Sequence, residues 1–464
     1  MKNKLKTSLV LVALILVCLI FGSCSSYFLS DSRSIKSTDI NELGELIIYY
    51  TDGTFENLGV VVGKEGEQGA QGVAGNDGKD GKDGANGKDG IDGKDGVNGA
   101  DGSITIIDGS STDATQIAIS KCLLNSVSIG CTFTKIENGL TSSYGSSGSG
   151  VIYKINKEAG EAIIVTNQHV VYDSESITSN GISPSINVYL YGLEYSNFAI
   201  EATYIGGSAN YDIAVLKVTN SDIIKNSDCS SVTIRDSSTV CVGEETIAIG
   251  NPMGEGIAAT TGILSVDSEE IDMKSITGTG SVTHRVMRVD TPINPGNSGG
   301  GLFDSNGNLI GIVNAKNIES DVENVGYAIP SSIAIGITEN ILYYCDGVTS
   351  TAPMRALLGI SVGLDNPHAE FDASTGKTFI VEDVVVHGVN SDSVAKDILC
   401  ENDILKSVSI NDGEAIQLTR QFMIIDALLY AHVGDTVNVT YLNSNQEECN
   451  ASFVITESML QEYP

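Results

Sequence analysis

Ser298 is the residue of this chain whose surroundings best suit a nucleophile. It lies in the stretch Thr291-Pro-Ile-Asn-Pro-Gly-Asn-Ser-Gly-Gly-Gly-Leu302. Small neighbours place such a serine in a tight turn, let another chain approach its hydroxyl and leave backbone N–H groups free to face a developing oxyanion. A serine hydroxyl is a weak nucleophile alone, so this hypothesis requires a base and an orienting acid elsewhere in the chain.

Candidates for both groups precede Ser298. His169 follows the apolar, β-branched run Ile163-Ile-Val-Thr-Asn-Gln, which indicates a strand and its exit. Asp212 precedes Ile-Ala-Val-Leu-Lys-Val, whose alternation predicts a strand that begins at the acid. The order His, Asp, Ser is that of chymotrypsin-type barrels and differs from the orders of subtilisin and the α/β-hydrolases. Taken singly, each residue has a structural explanation, and their joint occurrence favours catalysis.

Four motifs in order resemble the HtrA/Deg serine proteases. They are Thr166-Asn-Gln-His-Val-Val171, Asp212-Ile-Ala-Val-Leu216, Ala248-Ile-Gly-Asn-Pro-Met-Gly254 and Asn294-Pro-Gly-Asn-Ser-Gly-Gly300. The resemblance covers roughly residues 113 to 460. It implies a mainly β fold, with a chymotrypsin-like double β-barrel protease domain over 103–345 and an α+β PDZ domain over 356–460.

The same resemblance implies site residues around the triad His169, Asp212 and Ser298. Backbone N–H groups of Gly296 and Ser298 would form the oxyanion hole. Pro292 would lie at the base of the primary pocket, where its lack of charge argues for small aliphatic side chains rather than Arg or Lys. The stretch Asn314-Ala315-Lys316 would flank the cleft as the edge strand that pairs with substrate.

The resemblance also places a peptide-binding loop in the last hundred residues. In PDZ domains of this type the loop corresponding to Leu358-Gly359-Ile360 offers N–H groups to a peptide's terminal carboxylate, and the neighbouring strand adds the peptide as an extra strand. C-terminal peptides are therefore expected partners, beside unfolded protein or peptide substrates.

Composition excludes several other partners. The 464 residues carry 59 acidic and 26 basic side chains, a net charge of −33. Such a charge argues against nucleic acid and against electrostatic attachment to anionic lipid. No C-x-x-C pair occurs, so a zinc site has little support and neither a metal nor a cofactor is expected. Cys122 with Cys131, and Cys229 with Cys241, are close enough in sequence to pair.

The first residues read as a targeting segment. A basic start and the apolar run from Leu9 to Phe21 end in Phe21-Gly-Ser-Cys24. This resembles a bacterial lipoprotein signal over 1–23, with Cys24 as the lipidated residue and 24–40 as a tether. The alternatives are an ordinary secretory signal and an uncleaved anchor. All three place the remaining chain outside the cytoplasm, and the first lipid-anchors it in the bacterial cell envelope.

Two further segments precede the protease-like part. Residues 41–62 contain two strand-like runs around Asp52-Gly53, which predicts a β-hairpin. From Gly63 to Gly102 every third residue is glycine, which predicts a collagen-like triple-helical stalk over 63–102. A flexible Gly/Asp linker is the alternative. A triple helix joins three chains, and HtrA-like proteases commonly assemble as trimers, so we expect a homotrimer with its catalytic head held away from the membrane.

Local patterns predict three helices and surface positions for the remaining histidines. Helical spacing runs over 113–124, over Ser332 to Tyr344, and near Gln421 to Tyr430. The histidines other than His169 lack comparable context and are expected on the surface.

Three functions follow from these features. The first is a surface-anchored serine endopeptidase that cleaves misfolded or unfolded envelope proteins. The second is a cell-surface adhesin or scaffold with an inactive or incidental protease head. A holdase for misfolded proteins is compatible with the first and predicts that suppression of aggregation survives Ser298→Ala.

Overall fold

The computed structural model describes residues 35–40, 45–51, 53–60, 114–137, 139–178, 180–194, 197–278, 280–314, 325–347 and 350–463. The predicted signal peptide, Cys24, the Gly-X-Y stalk and the residues Ala315 and Lys316 lie outside these ranges. Within them, the structure contains no helix both long enough and apolar enough to cross a membrane. The chain divides into two compact units, Met1–Ser103 and Ile104–Pro464.

The described part of the first unit is a three-stranded antiparallel sheet. Its strands are β1 (Ile35–Ile40), β2 (Glu45–Tyr50) and β3 (Phe55–Val60). Strands β2 and β3 form the expected hairpin, in which the Tyr50 N–H donates to Thr54 O at 2.9 Å. Strand β1 lies in the stretch expected to be a tether, so that part of the prediction was wrong. Its residues pair with β2 from Ile35↔Tyr50 to Ile40↔Leu46, which supplies the third strand that a marginal hairpin needs.

The first described element of the second unit is helix α1 (Ala114–Leu123), which agrees with the sequence prediction. A seven-stranded sheet follows, with the order β8-β7-β4-β5-β6-β10-β9. The strands are β4 (Ser126–Glu137), β5 (Leu140–Asn156), β6 (Glu161–Thr166), β7 (Ser185–Leu190), β8 (Ile200–Glu201), β9 (Thr203–Ser208) and β10 (Ile213–Val218). A one-turn helix α2 (Gln168–Val171) leaves β6, and a short helix α3 (Asp222–Asn226) follows β10.

A second seven-stranded sheet has the order β11-β16-β15-β12-β13-β14-β17, and an additional β16–β17 pairing closes six of its strands into a barrel. The strands are β11 (Thr233–Ile234), β12 (Glu245–Gly250), β13 (Ala258–Lys274), β14 (Ser281–Val289), β15 (Gly301–Asp304), β16 (Asn308–Asn314) and β17 (Gly326–Pro330). Two 3-10 turns, Ser237–Thr239 and Pro252–Gly254, connect its elements.

Helix α4 (Ser331–Tyr344) ends the barrel part, close to its predicted bounds. Ile333, Ile337 and Ile341 recur at a spacing of four and are buried, so one face of α4 packs on the core. That core also contains residues of both sheets, among them Val165, Ile213, Ile249 and Phe303. The mainly β architecture predicted from the sequence is confirmed.

The C-terminal region, residues 354–463, has its own sheets and core. Its elements are β18 (Met354–Ala356), β19 (Ile360–Asp372), β20 (Lys377–Val389), β21 (Ile404–Ile410), β22 (Ile416–Gln417), α5 (Phe422–Leu428), β23 (Thr436–Leu442), β24 (Glu448–Val454), the 3-10 turn Glu457–Met459 and β25 (Leu460–Glu462). The main sheet has the order β19-β20-β21-β23-β24. Helix α5 covers one core face, with Ile424 and Ala427 buried against that sheet.

The expected cysteine pairs are not formed. Cys122, Cys131, Cys229 and Cys241 are all buried free thiols. Cys122 lies in the core beneath α4, whereas Cys131 lies in the core of the first sheet, so neighbours in sequence face different cores. Burial raises the pKa of both thiols to about 12, so both are protonated at neutral pH.

Candidate active site

His169 and Asp212 form a close, hydrogen-bonded pair. The Nδ1 atom of His169 lies 2.6 Å from Oδ2 of Asp212, and the backbone N–H of His169 donates to Oδ1 at 2.9 Å. The pair meets because β10 runs antiparallel to β6 with Ala214 opposite Thr166, which places the start of one strand beside the exit of the other. The imidazole is thereby fixed at one ring nitrogen, and Nε2 is available for chemistry.

The Asp212 carboxylate is buried and accepts several hydrogen bonds. Asp212 is 1% exposed, and its Oδ2 also accepts from Asn314 Nδ2 at 3.1 Å. Asn167 Nδ2 donates to the backbone oxygen of Asp212 at 2.8 Å. Burial raises the pKa of the Asp212 carboxyl, but the charge of His169 and its side-chain and backbone hydrogen bonds lower it more, so the net pKa is below its usual value. The carboxylate is therefore charged at neutral pH.

Ser298 lies in a loop packed directly against the segment that leads to His169. Gly299 has φ +83°, and a Cβ there would fall 2.2 Å from Thr166 Oγ1 and 2.3 Å from Ser149 O. Ser298 itself is 6% exposed, and its backbone oxygen accepts from Ser149 N at 2.8 Å. Only glycine permits so close an approach of the two backbones, so Gly299 brings the Ser298 loop beside the His169 segment.

Ser149 on β5 ties the Ser298 loop to both flanking segments. Its hydroxyl donates to Gly296 O at 2.7 Å and accepts from Asn251 N at 2.7 Å. Its backbone oxygen accepts from Thr166 Oγ1 at 2.6 Å. With 1% of its surface exposed, Ser149 fixes the loop without reaching solvent.

A strained turn orients the peptide that precedes Gly296. Met253 has φ +57°, which is unusual for a residue other than glycine, and its N–H donates to Pro295 O at 2.8 Å. In a trans peptide the N–H points away from the preceding carbonyl, so the Gly296 N–H faces away from Met253. The turn Pro252–Gly254 thus fixes the direction of one predicted oxyanion donor.

The remaining predicted residues fall in different places. Pro292 is exposed, and its carbonyl accepts from Thr260 Oγ1 at 2.8 Å. The next residue, Ile293, is 8% exposed, and its Cδ1 lies 2.5 Å from where Gly326 would carry a Cβ. The structure therefore favours Ile293, not Pro292, as the residue that faces inward here.

Asn314 is buried with its side chain on Asp212, so it contacts the acid in addition to ending strand β16. No local pattern predicts this contact, because the two residues are 102 positions apart. His284, expected on the surface, is 8% exposed, and its charge contributes to lowering the pKa of Asp212.

The predicted peptide-binding loop lies at the edge of the C-terminal sheet. Leu358 is buried, Gly359 has φ +74° and Ile360 begins strand β19, which ends the order of that sheet. The Gly359 carbonyl accepts from Asn390 N at 2.8 Å. Over the described ranges of the chain, no cluster of His, Cys, Asp and Glu could hold a metal ion.

Family models and relatives agree with these observations. A trypsin-like peptidase domain matches residues 148–312, and a collagen triple helix repeat matches residues 61–106. The protein is thus of the trypsin-like peptidase class with a collagen-like segment ahead of the peptidase domain.

Curated relatives define the family more narrowly. The serine protease Do-like HtrA of Lactococcus lactis subsp. cremoris (strain MG1363) is 34% identical over 307 residues, which are 64% of this chain and 67% of that protein. The serine protease Do-like HtrA of Bacillus subtilis (strain 168) is 33% identical over 305 residues, 65% of this chain and 62% of that protein. The chain belongs to the Do-like HtrA serine protease family, and it spans about two thirds of the length of these relatives.

Among solved structures, the HtrA-type protease AlgW with decapeptide is 23% identical. The match covers 75% of this chain and 99% of that chain with a TM-score of 0.45.

Proposed function

We propose that this chain is a surface-anchored serine endopeptidase that cleaves unfolded or misfolded proteins outside the cytoplasm. The observation that carries the proposal is the 2.6 Å contact between His169 Nδ1 and Asp212 Oδ2, beside a loop that brings Ser298 against the His169 segment. The family membership supports the same class of reaction.

The proposed reaction passes through an acyl-enzyme. Ser298 Oγ attacks the substrate carbonyl while His169 takes its proton, and the N–H groups of Gly296 and Ser298 stabilise the oxyanion. The C–N bond breaks as His169 returns the proton to the leaving amine, and water then releases the acyl group by the reverse sequence. Asp212 holds the imidazole tautomer and stabilises its charged form.

The remaining parts supply location and regulation. Lipidated Cys24 would hold the chain on the membrane, and the collagen-like segment would join three chains into a homotrimer. The C-terminal region acts as a PDZ domain, in which Leu358-Gly359-Ile360 receives a peptide carboxylate and the β19 edge pairs with the peptide. This assignment is supported by the edge position of β19 in the sheet that helix α5 covers.

Degradation of an unfolded casein by the full chain tests the catalytic proposal, together with labelling by a fluorophosphonate probe. Wild type should cleave and label, and Ser298→Ala should do neither. Ser305→Ala, in a turn of the same barrel, is the matched control and should behave as wild type. If wild type neither cleaves nor labels, even with added apolar C-terminal peptides, the adhesin or scaffold function replaces this one.

A further inference from the structure

The last described strand of the chain returns to the barrels beside the turn that carries Asp212. Strand β25 pairs antiparallel with β18, with Arg355 opposite Gln461. The Tyr463 N–H then donates to Pro353 O at 2.9 Å. We call this pair of strands with Tyr463 the return ribbon.

Tyr463 contacts the Asp212 turn directly. The hydroxyl of Ser208 donates to Tyr463 O at 3.0 Å and accepts from Tyr211 N at 3.2 Å. The rings of Tyr211 and Tyr463 have centroids 5.0 Å apart. Ser208 is fully buried, so its hydroxyl is shielded from solvent. A continuous path of contacts thus runs from the C-terminal region to the residue before Asp212.

Arg355 holds the two rings together from the other strand of the ribbon. Its guanidinium lies 4.5 Å from the centroid of the Tyr463 ring, and its Nη1 donates to Tyr211 OH at 3.3 Å. A guanidinium over an aromatic face is attracted by the ring's quadrupole. The ribbon therefore contacts Tyr211 in two ways. The Tyr463 ring packs against the Tyr211 ring, and Arg355 donates a hydrogen bond to the Tyr211 hydroxyl.

The Asp212 backbone needs such support. Its φ is +52°, a left-handed conformation that few residues other than glycine adopt and that persists when the surroundings enforce it. From this backbone position the two carboxylate oxygens reach His169 and Asn314. Loosening the turn would displace the carboxylate without touching the substrate or His169 itself.

We propose that Tyr463 and Arg355 are positioning residues for Asp212, so that the C-terminal region sets the geometry of the catalytic pair from outside the barrels. The inference rests on the proposed function, because it requires Asp212 to orient His169 during catalysis. A ligand or variant that displaces the return ribbon would lower turnover and leave substrate affinity unchanged.

Steady-state cleavage of a short fluorogenic peptide by the full chain tests this inference. Tyr463→Ala should lower kcat about tenfold and leave KM within about twofold, since only an interaction made during the chemical steps is weakened. Tyr463→Phe keeps the ring and the backbone carbonyl and should restore kcat. Gln461→Ala, an exposed side chain on the same strand, is the matched control and should match wild type.

The same substitution in an Asp212→Asn background separates positioning from general damage. If Tyr463 acts through Asp212, Tyr463→Ala should lower the fluorophosphonate labelling rate about tenfold in wild type and hardly at all in that background. Equal losses in both backgrounds, a Tyr463→Phe as impaired as Tyr463→Ala, or an unaffected Tyr463→Ala would each overturn the inference. Failure of the proposed function is distinct, because wild type itself would then not label.

Discussion

The Ser298 loop and the Asp212 turn are held in place by opposite means. The loop is fixed by the buried hydroxyl of Ser149 and by the backbone N–H of Met253, both of which belong to the peptidase part of the chain. The turn is fixed on one side by His169 and Asn314, and on the other by Tyr463 of the C-terminal region. The geometry of Ser298 is thus set within the peptidase fold, whereas that of Asp212 also depends on the C-terminal region.

Charged contacts help to attach the C-terminal region to the barrels. Arg285 on β14 pairs with Asp426 of helix α5, which also accepts from Ser332 Oγ at 2.7 Å. The Arg285 guanidinium lies 3.9 Å from the centroid of the Phe422 ring. Arg420 reaches across to Asp267 at 2.7 Å. These charged contacts stand beside apolar packing, because Leu429 of the C-terminal region is buried in the core that contains α4.

The largest effect should come from breaking the central ion pair. Arg285→Ala leaves the Asp426 carboxylate buried without its cation, since both side chains are about 12% and 11% exposed. Removing one partner of a buried pair costs about 3–5 kcal/mol, so thermal unfolding of the C-terminal region should shift clearly downward and proteolysis near residues 346–353 should accelerate.

Two further variants make that prediction sharp. Arg288→Ala, on the same strand, breaks the more exposed contact with Glu269 at 3.4 Å and should cost at most about 1 kcal/mol. Replacing both partners, with Arg285→Met and Asp426→Leu, should recover much of the lost stability. Equal effects of the Arg285 and Arg288 variants would show that the ion pair does not hold the region.

Ser149→Ala tests how the Ser298 loop is held in place. It orphans the Gly296 carbonyl and the Asn251 N–H, and a buried group without its partner costs about 1–3 kcal/mol. Because these groups set the oxyanion loop, we expect kcat to fall about 10- to 100-fold with KM little changed. Ser143→Ala, exposed on the same strand, is the control. A Ser149→Ala enzyme with wild-type kcat would show that backbone contacts alone hold the loop.

The smallest effect concerns the contacts of Glu244 with Arg235 and Lys377 and the way their contribution to stability depends on pH. Burial raises the pKa of Glu244, but hydrogen bonds from Arg235, Lys377 and the Cys241 N–H lower it from 4.5 to about 2. A depressed folded-state pKa contributes stability that is present above pH about 4.5 and is lost as the pH falls toward 2. Wild type should therefore exceed Glu244→Gln in thermal stability at pH 7.

The advantage should shrink below pH 4.5 and vanish near pH 2. Thermal melts across this range measure it, and Glu448→Gln, at an exposed carboxylate, serves as the control. A gap between wild type and Glu244→Gln that is independent of pH would contradict the assignment. Lys377, one of the three donors to Glu244, lies in the C-terminal region, so part of this stabilisation links that region to the barrel.

Much of the fold could be predicted from local sequence patterns. The strands beside His169 and Asp212, the helix over 331–344 and the mainly β class follow from periodicity and turn residues, because these depend on near neighbours. The prediction that residues 35–40 belong to a tether and the two expected cysteine pairs failed for the same reason. Proximity in sequence does not determine which strand a segment joins or which core a thiol faces.

The sequence alone determined the kinds of residues at the site and the glycines that let Ser298 approach the His169 segment. Only the tertiary structure brought in Ser149, Asn314 and Tyr463, whose contacts span 147, 102 and 255 positions. The residues adjacent in sequence to Ser149, Asn314 and Tyr463 do not indicate which distant residues these three contact. Their roles exist only because closed strands and a returning ribbon place them, through backbone geometry, within hydrogen-bonding distance of the loop and the turn.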